Sequence, residues 1–529
     1  MPPTLLLING RIHTMEPHQP EAQAVAVIGD RILAVGQDDD VRDLAGPKTE
    51  VIDLAGRAVY PGLIDSHIHL ASYAQGLSQV QLQGARSLEE ALHLVETKIE
   101  GLGPGQWVLG HGWDHNDWLV PVFPTKEPLD RIALNNPVAL RRKDGHSLWV
   151  NSEALRLVGI DRDTPDPPGG CIDRDTETQE PTGLVRENAI ELVAQKIPAP
   201  AAELEAAALE EAIAHAQQYG LTGIHDCEGS RAFRAFGELE SSGRLGLRVY
   251  MLIPVEELGD AIRLGLATGF GNTNLRLGPV KIFADGSLGS QTALMLEPFQ
   301  GQATNFGVAA TSRGEICDLV RQAGEAGIAA AVHSIGDRAV RQVLDVYEAT
   351  QDIWRPRRLR QRIEHVQLLH PADVPRLARL GVIASMQPLH ATSDRDVADR
   401  LWGERCRYAY AWRSLLDAGT ALAFGSDCPV ETLDPLRGIH AAVTRRQVEE
   451  PDVDSWYPQE RISVQQAVHA YTLGAAYASG EEDVKGSLAT GKLADMVVLD
   501  RNIFRIPPDE ISQAKVEMTV FGGQVVFRR

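Results

Sequence analysis

The sequence predicts an α/β fold: a (β/α)8 TIM barrel, a small β-sandwich domain built from both termini, and an inserted domain after the first barrel strand. Three observations predict it. A helix, a glycine and a buried apolar strand recur in that order through residues 59–481, which is typical of parallel strands covered by crossover helices. Both ends of the chain instead alternate short β-type runs with glycine turns. The gap after the first strand, 76–200, is too long for one crossover helix.

The two ends of the chain share one β-type pattern. At the N-terminus the apolar runs 5–8, 24–28 and 32–35 are each followed by a turn that contains glycine. Near the C-terminus the run 516–520 precedes Gly522-Gly523. Because runs of matching type occur at both ends, we expect residues 1–58 and 482–529 to pair into one β-sandwich domain.

Eight candidate strands lie between these ends. They are 63–67, 223–226, 248–252, 280–284, 328–333, 362–365, 382–386 and 422–427. Eight parallel strands close into a barrel, so we assign residues 59–75 and 201–481 to it. A doubly wound open sheet is the alternative, but no glycine-rich phosphate loop follows any strand. The inserted domain, 76–200, carries aromatic and polar clusters of its own and is expected to cover the barrel mouth.

Charge and cysteine usage exclude several classes of partner. The chain has 51 Lys plus Arg against 72 Asp plus Glu, a net charge of −21 that repels phosphate backbones and anionic membranes. We therefore expect no nucleic-acid partner and no membrane partner. The five cysteines are scattered without C-x-x-C spacing, which favours a reducing compartment. The first residues lack the basic segment of a signal peptide and no run approaches roughly 20 apolar residues, so a cytoplasmic location is expected.

Residues of metal-ligand type end several of the candidate strands. His67 and His69 have strand spacing, which sends both imidazoles to one side, where they can share a metal. Such a pair is a weak signal by itself. His333 and His365 interrupt apolar strands at their ends, and Asp427 follows the last strand. Barrels keep their active sites at these carboxyl ends, so the set predicts a divalent metal centre.

Two of the candidates have competing interpretations. Asp427 is either a helix N-cap or a metal ligand that also accepts a proton from metal-activated water, and we favour the second. Lys281 is either paired with Asp285 or another nearby carboxylate, or carboxylated by CO2, which would let its carbamate bridge two metals about 3.5–4 Å apart. The number of metals, one or two, stays open.

The motifs resemble those of a known family. The segment YPGLIDSHIH, residues 60–69, looks like the first-strand signature of the amidohydrolase superfamily, and His333, His365 and Asp427 match its fifth-, sixth- and eighth-strand positions. The segment GKLADMVVLD, 491–500, is similar to the strand that returns these enzymes to their β-sandwich. The segments 281–290, 111–114 and 144–147 look like the YtcJ-like branch, amidohydrolase family 3, which includes N-substituted formamide deformylase.

The resemblance implies a hydrolase that cuts an amide-like C–N bond in a small molecule. It implies zinc as the metal and, in many members, a carboxylated lysine at the position of Lys281. In the reaction we expect, metal-activated water attacks the carbonyl while Asp427 acts as general base and passes the proton to the leaving amine. His67 and His69 would hold one metal and His333 and His365 a second.

Residues outside the ligand set are candidates for substrate binding. Aromatic and polar residues of the insertion, Trp113, Asp114, His146 and also Trp118, are expected in the pocket wall, and Gly286 and Ser287 would bring backbone N–H groups near the substrate. The alternatives are an esterase, a ring deaminase and a non-catalytic barrel scaffold. A deaminase resemblance would place a glutamate shortly after His333, where this chain has the segment 334–337, Ser-Ile-Gly-Asp. A homodimer is expected as the common state of soluble oligomers.

Overall fold

Eight parallel strands form the central sheet in the computed structural model, which describes residues 1–77, 79–143, 145, 147–198 and 202–529. Barrel strands one to eight are, in order, Leu63–Ile68, Leu221–Asp226, Arg248–Pro254, Leu275–Phe283, Ala330–Ser334, Arg362–His365, Ile383–Met386 and Leu422–Phe424. Each pairs in parallel with the next. Beyond the strand ends, the Asp427 N–H donates to the His67 carbonyl at 2.7 Å, and the His69 N–H donates to the Cys428 carbonyl at 2.8 Å. The sheet is therefore nearly closed, and the predicted barrel is confirmed.

The structure shows the order of helix, glycine and strand that was used to locate the barrel strands. Helix Val374–Leu380 ends at Gly381, whose φ of +71° is the left-handed conformation that glycine adopts without steric cost. The Gly381 N–H returns to the carbonyl of Ala378, and barrel strand seven follows directly. The chain thus reverses from helix to strand within two residues.

Helices surround the strands and form the outer layer of the barrel. They are Ala202–Gln218, Ser230–Ser241, Leu258–Arg263, Arg313–Glu325, Asp337–Ala349, Gln351–Trp354, Val374–Leu380, Pro388–Ser393, Arg395–Trp402, Trp412–Asp417, Pro435–Thr444, Val464–Ala470 and Leu473–Ala478. Helix Asp337–Ala349 illustrates how such a helix packs, because its apolar residues recur at helical spacing and are buried on one face. They are Val340, Val343, Leu344 and Tyr347. No helix within the described ranges is long and apolar enough to cross a bilayer.

Strands from both termini form two further sheets. One contains Leu5–Ile8, Ala24–Ile28, Arg31–Gly36 and Glu50–Asp53, and the other contains Arg11–His13, Glu21–Ala22, Ala58–Pro61, Met496–Leu499, Val516–Phe521 and Gln524–Arg528. The apolar side chains of Leu7, Val25 and Met496 share one buried core. Arg248 of barrel strand three donates twice to the carboxylate of Asp495, at 2.5 and 2.9 Å, and so ties this region to the barrel.

Residues 71–209 form a compact unit of their own, and residues 1–70 with 210–529 form the other. The smaller unit has a six-stranded sheet, Val80–Gln81, Val108–Trp113, Val138–Arg142, Ser147–Val150, Gly170–Arg174 and Pro181–Glu187, with helices Leu88–Ile99, Lys126–Ile132, Ser152–Val158 and Ile190–Ala194. Val95, Trp113 and Trp149 lie in its core. The predicted domain limits, and the predicted cover over the barrel mouth, stay predictions.

Candidate metal centre

Three predicted ligands come together at the carboxyl end of the barrel. One ligand-type atom from each of His67, His365 and Asp427 lies within 4.8 Å of the other two. His67 and His365 lie at the carboxyl ends of strands one and six, and Asp427 follows strand eight. These ends converge because the strands are parallel. All three side chains are buried. Two imidazoles and a carboxylate at this spacing are a donor set that fits a divalent cation such as zinc.

His67 is oriented by a carboxylate behind it. Its Nδ1 lies 2.5 Å from Oε2 of Glu364, and since a carboxylate only accepts, Nδ1 is the donor. The lone pair is then on Nε2, which lies 3.6 Å from Oδ1 of Asp427. Burial and nearby Lys281 lower the pKa of His67 to about 4, so the ring is neutral, as a metal ligand must be.

Glu364 is in turn held by a buried arginine. Arg362 donates from Nε to Oε1 at 2.6 Å and from Nη2 to Oε2 at 3.0 Å, and neither residue is exposed to solvent. Although burial opposes ionisation, the Arg362 guanidinium holds the pKa of Glu364 well below its ordinary value. Our sequence analysis missed this pair. Its available signal was two opposite charges at alternate positions of one buried strand, which face the same side.

His365 and His333 each use one ring nitrogen in a hydrogen bond to the protein. Nδ1 of His365 donates to the amide oxygen of Gln387 at 2.8 Å, which leaves Nε2 with its lone pair. Nε2 of His333 donates to the carbonyl of Gly286 at 3.0 Å, which leaves Nδ1. Burial and nearby charges lower the pKa of both rings, that of His333 to about 3. The ring centroids are 4.5 Å apart, so both neutral imidazoles are available at one place.

Asp427 is shared between two histidines. Its Oδ1 lies 3.4 Å from Nε2 of His69, and its Oδ2 lies 3.2 Å from Nε2 of His390. Although burial opposes ionisation, these contacts hold the pKa of Asp427 well below its ordinary value. The alternative N-cap role is not seen, because Asp434 caps the helix that follows. Asp427 and His365 both have left-handed backbone, φ +59° and +73°, the kind of strain that concentrates at functional sites.

His390 is a second residue that our sequence analysis missed. It lies in helix Pro388–Ser393, which begins just after barrel strand seven. Against the effect of burial, hydrogen bonds to Asp427 and Glu431 raise the pKa of His390 to about 10. The signal in the sequence was the polar pair Gln387 and His390 directly after a buried strand, the position from which every predicted ligand was drawn.

Lys281 lies beside the ligands and not beside the carboxylate proposed as its alternative partner. Its buried Nζ is 3.4 Å from Nε2 of His67 and 5.1 Å from the ring centroid of Phe283. Asp285 instead accepts backbone N–H groups from Leu294, Ile335 and Gly336. The structural reason is that Asp285 fixes the loops after strands four and five, which leaves the Lys281 amine facing an imidazole.

The predicted substrate residues of the insertion have internal partners in the smaller unit. Trp113 is fully buried and donates from Nε1 to the carbonyl of Leu140 at 2.8 Å. Oδ1 of Asp114 lies 2.6 Å from Nη2 of Arg142. His146 lies outside the described residues. The substrate roles of all three stay predictions.

The loop after barrel strand four uses the N–H groups that were expected to face the substrate. The Gly286 N–H donates to the carbonyl of Thr292, and the Ser287 N–H donates to Oγ1 of the same threonine at 3.0 Å. In this arrangement both groups stabilise the loop. Their contact with a substrate stays a prediction, while the Gly286 carbonyl accepts a hydrogen bond from His333 and so orients that ring.

Comparison with known proteins agrees with the fold and with these motifs. The model of an amidohydrolase family matches residues 50–527. Among curated proteins, the putative amidohydrolase YtcJ of Bacillus subtilis is 34% identical over 98% of this chain and 99% of its own length. N-substituted formamide deformylase of Arthrobacter pascens is 30% identical over 99% of this chain and 98% of its own. The predicted resemblance to the YtcJ-like amidohydrolases is confirmed.

A further curated relative and a solved structure also match nearly the whole chain. Protein LONG AFTER FAR-RED 3 of Arabidopsis thaliana is 36% identical over 99% of this chain and 91% of its own length. An uncharacterized metal-dependent hydrolase from Pyrococcus furiosus superposes with a TM-score of 0.78 at 32% identity, covering 95% of this chain and 100% of that one.

Proposed function

Because the chain belongs to the amidohydrolase family, we propose that it hydrolyses a C–N bond of a small amide-like molecule with the help of zinc. The observation that carries the proposal is the approach of His67, His365 and Asp427 to within 4.8 Å. An activity of this kind also accounts for the burial of so many ionisable groups at one place, which a scaffold would have no reason to maintain.

The residues that would hold the metal include the clustered His67, His365 and Asp427, together with the nearby His69 and His333. His67 and His69 would hold one ion, and His333 and His365 would hold a second where two are bound. Lys281, whose amine lies against the His67 ring, would join them if it is carboxylated to a carbamate. A zinc-type cation supplies Lewis-acid activation of water and of the substrate carbonyl.

Asp427 moves the proton in this proposal. Its carboxylate is ionised at neutral pH, because the adjacent histidines hold its pKa low, and it can therefore accept a proton from the attacking water. The same carboxyl group then returns the proton to the leaving nitrogen as the C–N bond breaks. No covalent bond to the protein is needed.

The proposal is tested by a panel of N-formyl and N-acyl amines incubated with the purified, zinc-reconstituted protein. We expect release of the free amine from at least one compound, loss of that release after chelation, and recovery when zinc is added back. A protein that holds no zinc, iron or manganese and is unaffected by chelator would overturn the proposal. The cytoplasmic location and the homodimer are part of the proposal too, and size-exclusion chromatography with light scattering tests the latter.

A further inference from the structure

His390 contacts the proposed general base, with its Nε2 3.2 Å from Oδ2 of Asp427. It belongs to helix Pro388–Ser393, in which residues 388–392 are all buried, and the whole residue is 5% exposed. Nothing in the proposed reaction requires it. A buried imidazole placed against a buried carboxylate nevertheless costs desolvation, so its position calls for a function.

The two oxygens of Asp427 have different neighbours. Oδ1 is the oxygen near the metal-ligand histidines, 3.4 Å from His69 Nε2 and 3.6 Å from His67 Nε2. Oδ2 is the oxygen near His390 Nε2, at 3.2 Å. When Oδ2 accepts a fixed hydrogen bond, rotation of the carboxylate about its Cβ–Cγ bond would break the hydrogen bond.

His390 is itself fixed, which makes it able to fix another group. Its Nδ1 lies 3.9 Å from Oε1 of Glu431, so carboxylates lie on both sides of the ring. Gln387, three residues earlier, receives the hydrogen bond of His365. One short segment after barrel strand seven therefore contacts two of the three residues that cluster at the centre.

We propose that His390 is a positioning residue of the metal centre: by donating to Oδ2 of Asp427, it keeps Oδ1 alone turned toward the metal and the water. This inference rests on the proposed function. Without the hydrogen bond, the carboxylate would be free to turn both oxygens to the metal. Neither oxygen would then be available to accept the proton from the water.

The test compares two side chains of equal length at position 390. His390→Gln keeps an N–H donor near the place of Nε2, and His390→Met keeps the length without the donor. We expect kcat to fall roughly 10- to 100-fold in the methionine variant, with KM within about twofold of wild type and an unchanged metal content. The glutamine variant is expected to recover most of the lost kcat. Equal kcat in wild type and the methionine variant would overturn the proposal.

A spectroscopic measurement separates positioning from a general loss of structure. With cobalt(II) in place of zinc, the visible absorption reports the number of ligands, so His390→Met should change the spectrum and His390→Gln should not. His440→Met is the matched control. His440 lies on helix Pro435–Thr444, is equally buried, and is 3.9 Å from a carboxylate oxygen of Asp509. It should leave both kcat and the cobalt spectrum unchanged.

Failure of the proposed function can be told apart from failure of this inference. If the wild type hydrolyses none of the amides, the crystal structure of the His390→Met protein still tests the geometry, because it needs no turnover. A rotated Asp427 carboxylate supports the positioning role, and an unmoved one refutes it. Should the methionine variant not fold, His390→Asn provides a donor that is too short to reach Oδ2, and it should show the same losses.

Discussion

The Arg362–Glu364 pair behind His67 allows a quantitative test of how the metal centre is supported. Glu364→Gln keeps the shape of the side chain and removes its charge. The wild-type carboxylate accepts two hydrogen bonds from Arg362, at 2.6 and 3.0 Å, and one from His67 at 2.5 Å. In the variant, the guanidinium stays fully buried without a counter-charge, and the amide must donate on one side where the carboxylate accepted.

Two magnitudes follow from this geometry. Breaking a fully buried ion pair from one side costs about 3–5 kcal/mol, because the remaining charge is left uncompensated. Arg362 also donates to the carbonyl of Ser66 at 2.7 Å and to Oγ of Ser385 at 2.9 Å, which places the expected loss at the lower end of that range. Removing the group that orients a ligand histidine weakens metal binding by roughly 10- to 100-fold.

A second arginine–glutamate pair, whose arginine lies two residues before Arg362, provides a matched control. Arg360 and Glu482 form the same kind of two-bond pair, at 2.7 and 2.6 Å, but both side chains are 28% exposed. Glu482→Gln should therefore cost about 0–1 kcal/mol. The assay is urea denaturation of the chelator-treated proteins, followed by zinc titration against a competing chelator. If Glu364→Gln loses no more stability than Glu482→Gln and binds zinc as tightly as wild type, the reasoning about burial is wrong.

Three further predictions concern the proposed general base, the packing beside the metal centre and the buried carboxylate of Glu481. Asp427→Asn should lower kcat by at least about 100-fold with circular dichroism unchanged, whereas Asp434→Asn, which keeps the helix cap, should retain activity; equal activities would contradict the role of the base. Gly425→Ala should cost about 1–3 kcal/mol or more by thermal denaturation, because its added carbon would lie 2.5 Å from a backbone nitrogen of barrel strand one; Gly237→Ala, on an open helix face, should stabilise by about 0.5–1 kcal/mol. Lys485, four residues later, and Arg276 of barrel strand four both contact the Glu481 carboxylate. Although burial opposes ionisation, these two cations hold the pKa of Glu481 below its ordinary 4.5. Its stabilisation is therefore complete above pH 4.5 and lost as pH falls through the native pKa, so the gap in urea midpoint between wild type and Glu481→Gln should be wide at pH 7 and narrower at pH 4; a gap independent of pH would refute this.

The order of the barrel could be predicted from the sequence because its signals are local. A left-handed glycine such as Gly381 marks the end of a helix, and the apolar run that follows marks a strand buried on both faces. The residues that end those runs, His67, His365 and Asp427, then had to lie near one another, since the carboxyl ends of parallel strands meet at one end of a barrel.

The surroundings of two groups that were predicted to face the substrate depend on contacts that local patterns do not encode. Trp113 has the aromatic character of a pocket residue, yet its ring is fully buried in the core of its own unit. The Gly286 N–H group, expected to face the substrate, bonds to Thr292 within its loop. In both cases the sequence identified the group and only the fold showed its contacts, while the substrate roles of both stay predictions.

What the sequence by itself determined was the type of each ligand and the strand that carries it. Only the tertiary structure decided how each ligand is oriented: His67 is held by Glu364, 297 positions later in the chain, and Asp427 contacts His390 of helix Pro388–Ser393. Hydrogen bonds act over about 3 Å between atoms that the closing barrel brings together, and a linear pattern holds no measure of that distance.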